Sequence, residues 1–455
     1  MYRTVRLIAR IALQLFFRRI DVAGLEQIPP EGPLIIAANH PNTMVDPLVL
    51  MAVVPREVHF LAASILFRYP FFAFFLRGSG VLPIYRHQDD PRQMAKNRET
   101  FRACTAILSK GGAIGIFPEG FSHADPMVKR LKTGVAHIAL ETEAQHQGKP
   151  GIVIVPAGLN FEHRSTFRSR VFVNFGRPIG AWTYGETFQH DPRSAINQLT
   201  ADVQRSLEKL VVHIPEAAMV KLVQDLEGLY KGELLQAYGD QGFSALELSQ
   251  KLVEGVRYYS QAHPMIVAQM SKAIARYQRK LHRLGVKDVR LKERISRQDL
   301  PLNLLKFLGL GLLGFLPALY GTLNNYLPYK LTGIMRWLFT GRTEARASVT
   351  LAAGALFFPL FYAIQTFLIG TSLGTWPAVL YLLSLPVTGF FALAYGARIG
   401  RYWEKLSYIF LLASHNRMLR KLRRERMELI RQLEELKEAY LRLYEQGEEW
   451  STEGI

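Results

Sequence analysis

A single cysteine, Cys104, stands in this chain of 455 residues, which excludes an intrachain disulfide and a thiolate metal cluster. The first 20 residues lack the uninterrupted apolar run and small-residue cleavage site of a signal peptide, because Arg10 breaks them. The 12 histidines form no His-Glu-x-x-His or similar spacing, so zinc hydrolase chemistry has no ligand set. Ser122 lacks the Gly-x-Ser-x-Gly elbow of the α/β-hydrolases, and Gly78-Ser79-Gly80 lacks the third glycine of a dinucleotide loop. No phosphate-loop lysine motif occurs. Acidic residues are scarce: 38 Asp and Glu oppose 56 Lys and Arg, for a net charge of +18. Such a surplus calls for a polyanionic partner, nucleic acid or an anionic membrane surface. Hydrophobic residues make up 49% of the chain and gather after Pro301, which favours the membrane.

The length exceeds one ordinary core and divides by composition. Residues 1–20 place Arg3, Arg6, Arg10 and Arg18 at helical spacings between Leu7, Ile8, Ile11, Leu15, Phe16 and Ile20. This pattern fits a helix lying in the bilayer interface or one capping a globular domain. Over 21–215, the β-rich runs 34–38, 58–62, 81–85, 113–117, 152–156 and 171–175 alternate with helical patterns at 92–110 and 132–144. The alternation predicts an α/β domain with a mixed central sheet, whose functional residues collect on loops at strand ends. Residues 216–300 read as helical.

The membrane region, 301–400, holds three apolar stretches. Those at 349–371 and 376–397 are long enough to cross a bilayer, and Arg342, Arg346, Arg398, Arg401 and Lys405 flank them. The positive-inside rule draws a hairpin with both ends, and the catalytic domain, on the cytoplasmic side. The stretch 303–326, which carries Pro317 and Asn324-Asn325, is expected to be re-entrant or interfacial. In the tail, 401–455, Arg420, Lys421, Arg423, Arg424 and Arg426 form a basic block suited to anionic headgroups. Leu429, Leu433, Leu436, Tyr440 and Leu443 make a short seam that either packs locally or forms a coiled coil with a second copy.

Four blocks at strand ends carry chemistry. Asn39-His40-Pro41-Asn42 leads to Asp46, and a neutral imidazole oriented by a carboxylate can take a proton from a hydroxyl. Their spacing does not fit one helical face, so a turn at Pro41-Asn42 must bring them together. Gly80 to Arg86 ends a short strand on an arginine, the natural clamp for phosphate. Phe117-Pro118-Glu119-Gly120 sets a glycine beside an acid, where backbone amides can approach an oxyanion. Ile154-Val155-Pro156-Ala157-Gly158 reads as a strand closing on a Pro/Gly turn. Phe71, Phe72, Phe74 and Phe75, with Arg68 and Arg77, form either an amphipathic core helix or a seat on the bilayer.

In order and spacing these blocks resemble those of the glycerol-3-phosphate and lysophosphatidate acyltransferase superfamily, over roughly residues 20–215. One departure stands out. Five residues separate His40 from Asp46, where most of the superfamily has four, which resembles the branch of fungal glycerol-3-phosphate and dihydroxyacetone-phosphate acyltransferases. The resemblance implies an enzyme in which His40 is the general base and Asp46 orients it. The acceptor alkoxide would attack the thioester of acyl-CoA or acyl carrier protein, with no covalent intermediate and no cofactor. Arg86 would hold the acceptor phosphate with Glu119 and Gly120, while Asn39 and Pro156 would shape the substrate sites; Lys132-Thr133-Gly134 could add to the anion site. Glycerol-3-phosphate or 1-acylglycerol-3-phosphate is the implied acceptor. Dihydroxyacetone phosphate or another lysophospholipid, and a catalytically silent lipid-binding scaffold, are the alternatives. Anionic membrane lipids are the expected partners, without nucleic acid, and an oligomer through the tail helix is an option.

Overall fold

The computed structural model describes residues 1–145, 151–241, 243–292, 300–339, 341, 343–414 and 416–445. The first elements are α1 (Tyr2–Phe16), β1 (Arg19–Ala23), β2 (Leu34–Ala38), α2 (Val45–Val53), β3 (Val58–Ala63), α3 (Pro70–Gly78), β4 (Leu82–Ile84), α4 (Asn97–Ser109) and β5 (Ala113–Ile116). Then come α5 (Gly134–Gln145), β6 (Val153–Phe161), β7 (Arg170–Phe175), β8 (Ile179–Gly180), α6 (Gly185–His190) and α7 (Pro192–Leu210). The remainder is helical: α8 (Ala217–Tyr238), α9 (Ala245–Ala262), α10 (Pro264–Arg283), α11 (Asp288–Lys292), α12 (Leu300–Phe339), α13 (Arg346–Leu373), α14 (Thr375–Ser414) and α15 (Asn416–Glu445).

The chain divides into two compact units, one of Met1–Pro215 with Leu331–Leu356, the other of Glu216–Lys330 with the residues from Phe357 on. The first is an α/β domain around a mixed sheet in the order β1-β7-β6-β2-β5-β3-β4, with β8 paired to β6. Strands β6, β2, β5, β3 and β4 run parallel, whereas β7 is antiparallel to β6. Central β2 is buried along its whole length, as expected of a parallel strand covered on both faces. The pleat sends Leu34, Ile36 and Ala38 into one core and Ile35 and Ala37 into the other. Each of these larger side chains contributes about 1.5–3 kcal/mol by leaving water. The first core also takes Val45 and Val49 of α2, Leu13 and Phe16 of α1, and Ala347 and Leu351 of α13. The second takes Cys104, Leu108, Ile138 and Leu199.

Strand β1, at one edge of the sheet, and β8, off its main path, escape the sequence pattern because they are short and only half-covered. Strand β6 runs past Pro156 to Phe161, where the sequence predicts a turn. Proline is tolerated there because its missing N–H falls where the neighbour changes from β8, paired at 153–154, to β7, paired at 157–161.

Helix α1 settles its alternatives by serving as a cap and also presenting an apolar strip. Arg10 Nε donates to the Ala52 carbonyl at 2.9 Å and Arg6 donates to the Val54 carbonyl, so both neutralise the C-terminal end of α2. Leu7, Ile8, Ile11 and Leu15 remain exposed. Ile20, expected on the helix, lies in β1. Phe74 and Phe75 of α3 are also exposed, while the Phe71 and Phe72 side chains lie outside the described residues, as does Arg342.

In the second unit, the tail seam is covered by its own chain. Leu429 and Leu433 are buried, the Tyr230 hydroxyl donates to Glu434 at 2.6 Å, and the Tyr259 hydroxyl donates to the Leu436 carbonyl at 2.8 Å. That face packs on helices of its own chain, the local one of the two alternatives read from the sequence; the Leu443 side chain lies outside the described residues. The basic block is split as well. Arg426 pairs with Asp288 at 3.0 Å and Glu233 at 2.8 Å, and Arg423 donates to the Tyr408 hydroxyl, leaving Arg420, Lys421 and Arg424 outward.

Three helical segments, Leu300–Phe339, Thr343–Leu373 and Thr375–Leu412, are long and apolar enough to cross a membrane. The first is unbroken through Pro317 and Pro328. Its Asn324 and Asn325, read from sequence as a polar end, sit inside the helix as ties to its neighbours. Tyr362 donates to Asn325 Oδ1 at 2.6 Å, Tyr381 donates to Asn324 Oδ1 at 2.5 Å, and Asn325 Nδ2 reaches the Leu385 carbonyl at 3.3 Å. Such bonds join helices in a medium that offers no water. The chain is membrane-associated.

Candidate active site

Parallel strands β2, β5, β3 and β4 end on one edge of the sheet, and the loops there carry the first three blocks. Asn39 follows β2 and prolongs it. Its Nδ2 donates to the Leu159 carbonyl at 3.1 Å and its Oδ1 accepts the Leu159 N–H at 2.7 Å. The amide thus imitates one more step of the β2–β6 ladder. This pinning engages both ends of the Asn39 amide within the sheet.

His40 is fixed on every side but one. Its backbone N–H donates to Glu119 Oε1 at 2.9 Å, and its carbonyl accepts from the His123 N–H at 3.2 Å. Its ring stacks on Phe117 with centroids 4.2 Å apart. Nδ1 lies 2.8 Å from Asp46 Oδ2, which makes Nε2 the free lone pair of the neutral ring. The side chain is 19% exposed, and no partner for Nε2 occurs among the described residues.

Asp46 sits in the first turn of α2, where the helix N-terminus favours an anion. Its carboxylate is completely buried, and burial pushes its pKa up, opposed by the bonds from His40 and from the Asn42 N–H at 2.7 Å. Between the pair, residues 42–45 form the turn that the spacing demands, closed by the Val45 N–H on the Asn42 carbonyl at 3.0 Å. Thr43 adopts φ +41°, unusual for a β-branched residue. Two remote hydroxyls hold this turn. Ser122 Oγ accepts the Thr43 N–H at 3.0 Å, and Ser348 Oγ, in the first turn of α13, reaches Thr43 Oγ1 at 2.5 Å and the Met44 N–H at 3.1 Å.

Glu119 departs from its expected role at the substrate. Its side chain is fully buried and its oxygens are used internally, by the His40 N–H, by the Lys129 N–H at 2.8 Å and by His123 Nε2. Gly120 turns the chain at φ +77°, and a Cβ there would come within 2.6 Å of Lys132 Nζ. Glycine therefore admits a lysine ammonium beside the turn, which places the cation of Lys132-Thr133-Gly134 close to the third block.

Arg86 does not sit beside His40. It follows β4, three strand positions from β2, or about 14 Å at the usual strand spacing. Its guanidinium forks onto Asp89, with Nε to Oδ2 at 2.6 Å and NH2 to Oδ1 at 2.9 Å. Nearer is Arg164, which the sequence reading missed. Its carbonyl accepts from Asn42 Nδ2 at 3.0 Å, and burial draws its pKa down against the opposing charges of Asp46, Asp125 and Glu344. Pro156 lies within the sheet and does not line this edge. No group of three or more His, Cys, Asp and Glu that could hold a metal occurs among the described residues. The arrangement offers an open imidazole nitrogen backed by a buried carboxylate, with cations nearby. It can accept a proton from an anionic alcohol.

Comparison with known proteins bears on the same residues. The Acyltransferase family model matches residues 19–160. An uncharacterised acyltransferase of Schizosaccharomyces pombe is 28% identical over 373 residues, 63% of this chain and 54% of its own. Glycerol-3-phosphate O-acyltransferase 2 of Saccharomyces cerevisiae is 31% identical over 193 residues, 42% of this chain and 25% of its own. A 1-acyl-sn-glycerol-3-phosphate acyltransferase of Borreliella burgdorferi is 28% identical over 182 residues, 38% of this chain and 64% of its own. The chain thus spans from a quarter to under two thirds of the curated relatives it matches.

Proposed function

Residues 19–160 carry a domain of the glycerol-3-phosphate and 1-acylglycerol-3-phosphate acyltransferase superfamily, and on that premise we propose that the chain acylates a glycerol-phosphate hydroxyl at a membrane surface. The observation that carries this reading is the open Nε2 of His40, with Nδ1 held 2.8 Å from buried Asp46. Nε2 takes the proton as the acceptor oxygen attacks the acyl thioester, and Asp46 stabilises the imidazolium that forms. The thiolate leaves with the acyl carbonyl restored, and the proton on His40 passes to it. Lys132 and Arg164 are the nearest candidates to meet the acceptor's phosphate, with Arg86 available once it parts from Asp89. Glycerol-3-phosphate is the preferred acceptor, because the five-residue spacer matches that branch; acyl-CoA or acyl carrier protein is the donor.

The catalytic domain lies on the cytoplasmic face by the positive-inside rule, since Arg346 precedes the hairpin of α13 and α14 and Arg398, Arg401 and Lys405 follow its apolar part. Ser348 ties the start of α13 to the loop after His40, so α13 enters the bilayer from the catalytic side. Helix α12 ends at Phe339, just before α13 begins at Arg346. Its other end joins Pro215 through residues that contribute no candidate span among those described. Helix α12 runs unbroken beside α14, the Tyr395 hydroxyl reaching the Gly311 carbonyl and Tyr381 reaching Asn324, so its stretch 303–326 shares the bilayer depth of α14.

Purified full-length protein given acyl-CoA or acyl carrier protein and a panel of acceptors tests the reaction. Transfer should fall by 10³-fold or more in His40→Ala, the scale at which a removed general base acts in such machinery. Equal turnover by the variant and the wild type would sink the assignment, and the fastest acceptor identifies the substrate.

A further inference from the structure

We infer that Ser348, in the first turn of a helix 306 residues beyond Asn42, is a positioning residue for the His40–Asp46 pair. The inference rests on the function proposed above for that pair. A serine hydroxyl can donate once and accept twice, and here all three capacities have partners. It lies 3.2 Å from the Asn42 carbonyl, accepts from the Met44 N–H at 3.1 Å, and is 2.5 Å from Thr43 Oγ1, a hydroxyl that also lies 3.4 Å from the Glu344 carbonyl. Three consecutive residues of the catalytic turn thus meet on one buried oxygen, whose residue is 7% exposed.

The turn needs such support. Thr43 at φ +41° is strained, and a strained residue persists only where its surroundings over-determine it. The bond to Ser122 constrains Thr43 from one side and Ser348 closes the other. What the turn delivers is the Asn42 N–H, 2.7 Å from Asp46 Oδ2. Asp46 Oδ1 has no hydrogen-bond partner among the described residues, so the carboxylate is oriented through Oδ2 alone, by Asn42 and His40. If the turn relaxes, Asn42 swings away, the carboxylate rotates and the His40 ring loses its fixed direction. The chemical step suffers, while Lys132, seated beside Gly120 and not on the turn, stays in place. Helix α13 does not depend on Ser348 for its seat, because Ala347 and Leu351 anchor it in the core.

Full-length Ser348→Ala, Ser348→Thr and Leu351→Ala proteins test this in micelles or vesicles. Ser348→Ala should lower kcat about 10- to 100-fold, the scale of one buried bond set left unmade, with KM for donor and acceptor unchanged within about threefold. Threonine keeps the hydroxyl and should restore kcat to within about threefold. Leu351→Ala removes core packing from the same helix and should lower the melting temperature while the folded fraction keeps its kcat. A readout free of turnover is the rate of diethylpyrocarbonate modification at His40, read by mass spectrometry of its peptide. It should fall several-fold in Ser348→Ala and recover in Ser348→Thr, whether or not acyl transfer is detected. An unchanged His40 modification rate in Ser348→Ala, or equal losses in the alanine and threonine variants, overturns the inference. A wild type inert toward every acceptor, with His40 reactivity still dependent on Ser348, overturns the proposed reaction and leaves the positioning role standing.

Discussion

Glu119 offers the sharpest test of how this site is built, because family likeness assigns it to the acceptor and the geometry assigns it to the protein. Its carboxylate accepts from the His40 N–H at 2.9 Å, the Lys129 N–H at 2.8 Å and His123 Nε2, with the side chain fully buried. Glu119→Ala leaves two buried backbone N–H groups without partners. At about 1–3 kcal/mol for each, the loss is about 2–6 kcal/mol, a large share of the 5–15 kcal/mol that holds a typical domain together. Glu119→Gln keeps one acceptor oxygen but turns an NH2 toward the donors of Lys129 and His123, and should cost about 1–3 kcal/mol. Because the His40 backbone hangs from the same carboxylate, freeing it displaces the base, and a displacement near 1 Å can cost about 10²-fold in rate. The assay pairs denaturant or thermal unfolding of the purified full-length protein in detergent with acyl-transfer kinetics. The glutamine variant should lose stability and kcat while its acceptor KM stays near the wild-type value. A variant as stable as the wild type but with a raised acceptor KM would refute the reasoning and return Glu119 to the substrate.

Two further outcomes are expected. Cys104 is buried in the second core and burial pushes its thiol up to about 12, so at pH 8 only about one part in ten thousand is thiolate. Maleimide should leave the native chain unlabelled and label it promptly in denaturant; rapid native labelling contradicts the packing. In a Cys104→Ala background, single cysteines replacing Leu302 and Tyr329, at the two ends of the stretch that runs beside α14, should react with an impermeant maleimide from opposite sides of sealed vesicles, and labelling of both from one side would show that α12 does not cross.

Much of the domain is legible in the sequence because its elements obey local rules. Strand β2 reads as an unbroken apolar run, and a run covered on both faces is what a central parallel strand requires. The meeting of His40 with Asp46 across a turn follows from a spacing that no helix face accommodates. What local rules miss is whatever depends on a distant partner. Asn39 reads as part of a catalytic block, yet its amide is spent on Leu159. The tail seam has the spacing of an interface, and only packing shows that it lies against helices of its own chain. Asn324 and Asn325 look like the polar end of an apolar stretch and are interhelical ties.

The sequence alone determines the class of chemistry, since a histidine, an aspartate and three further blocks in a fixed order restrict it, and it determines that the second half meets lipid, since apolar composition is additive along the chain. Tertiary structure alone decides which of those polar groups face a substrate and which hold the site. Hydrogen-bond capacity is finite and is exhausted by neighbours that no spacing reveals: Glu119 by Lys129 and His123, Arg86 by Asp89, and the catalytic turn by Ser348, which reaches it from the start of a membrane helix.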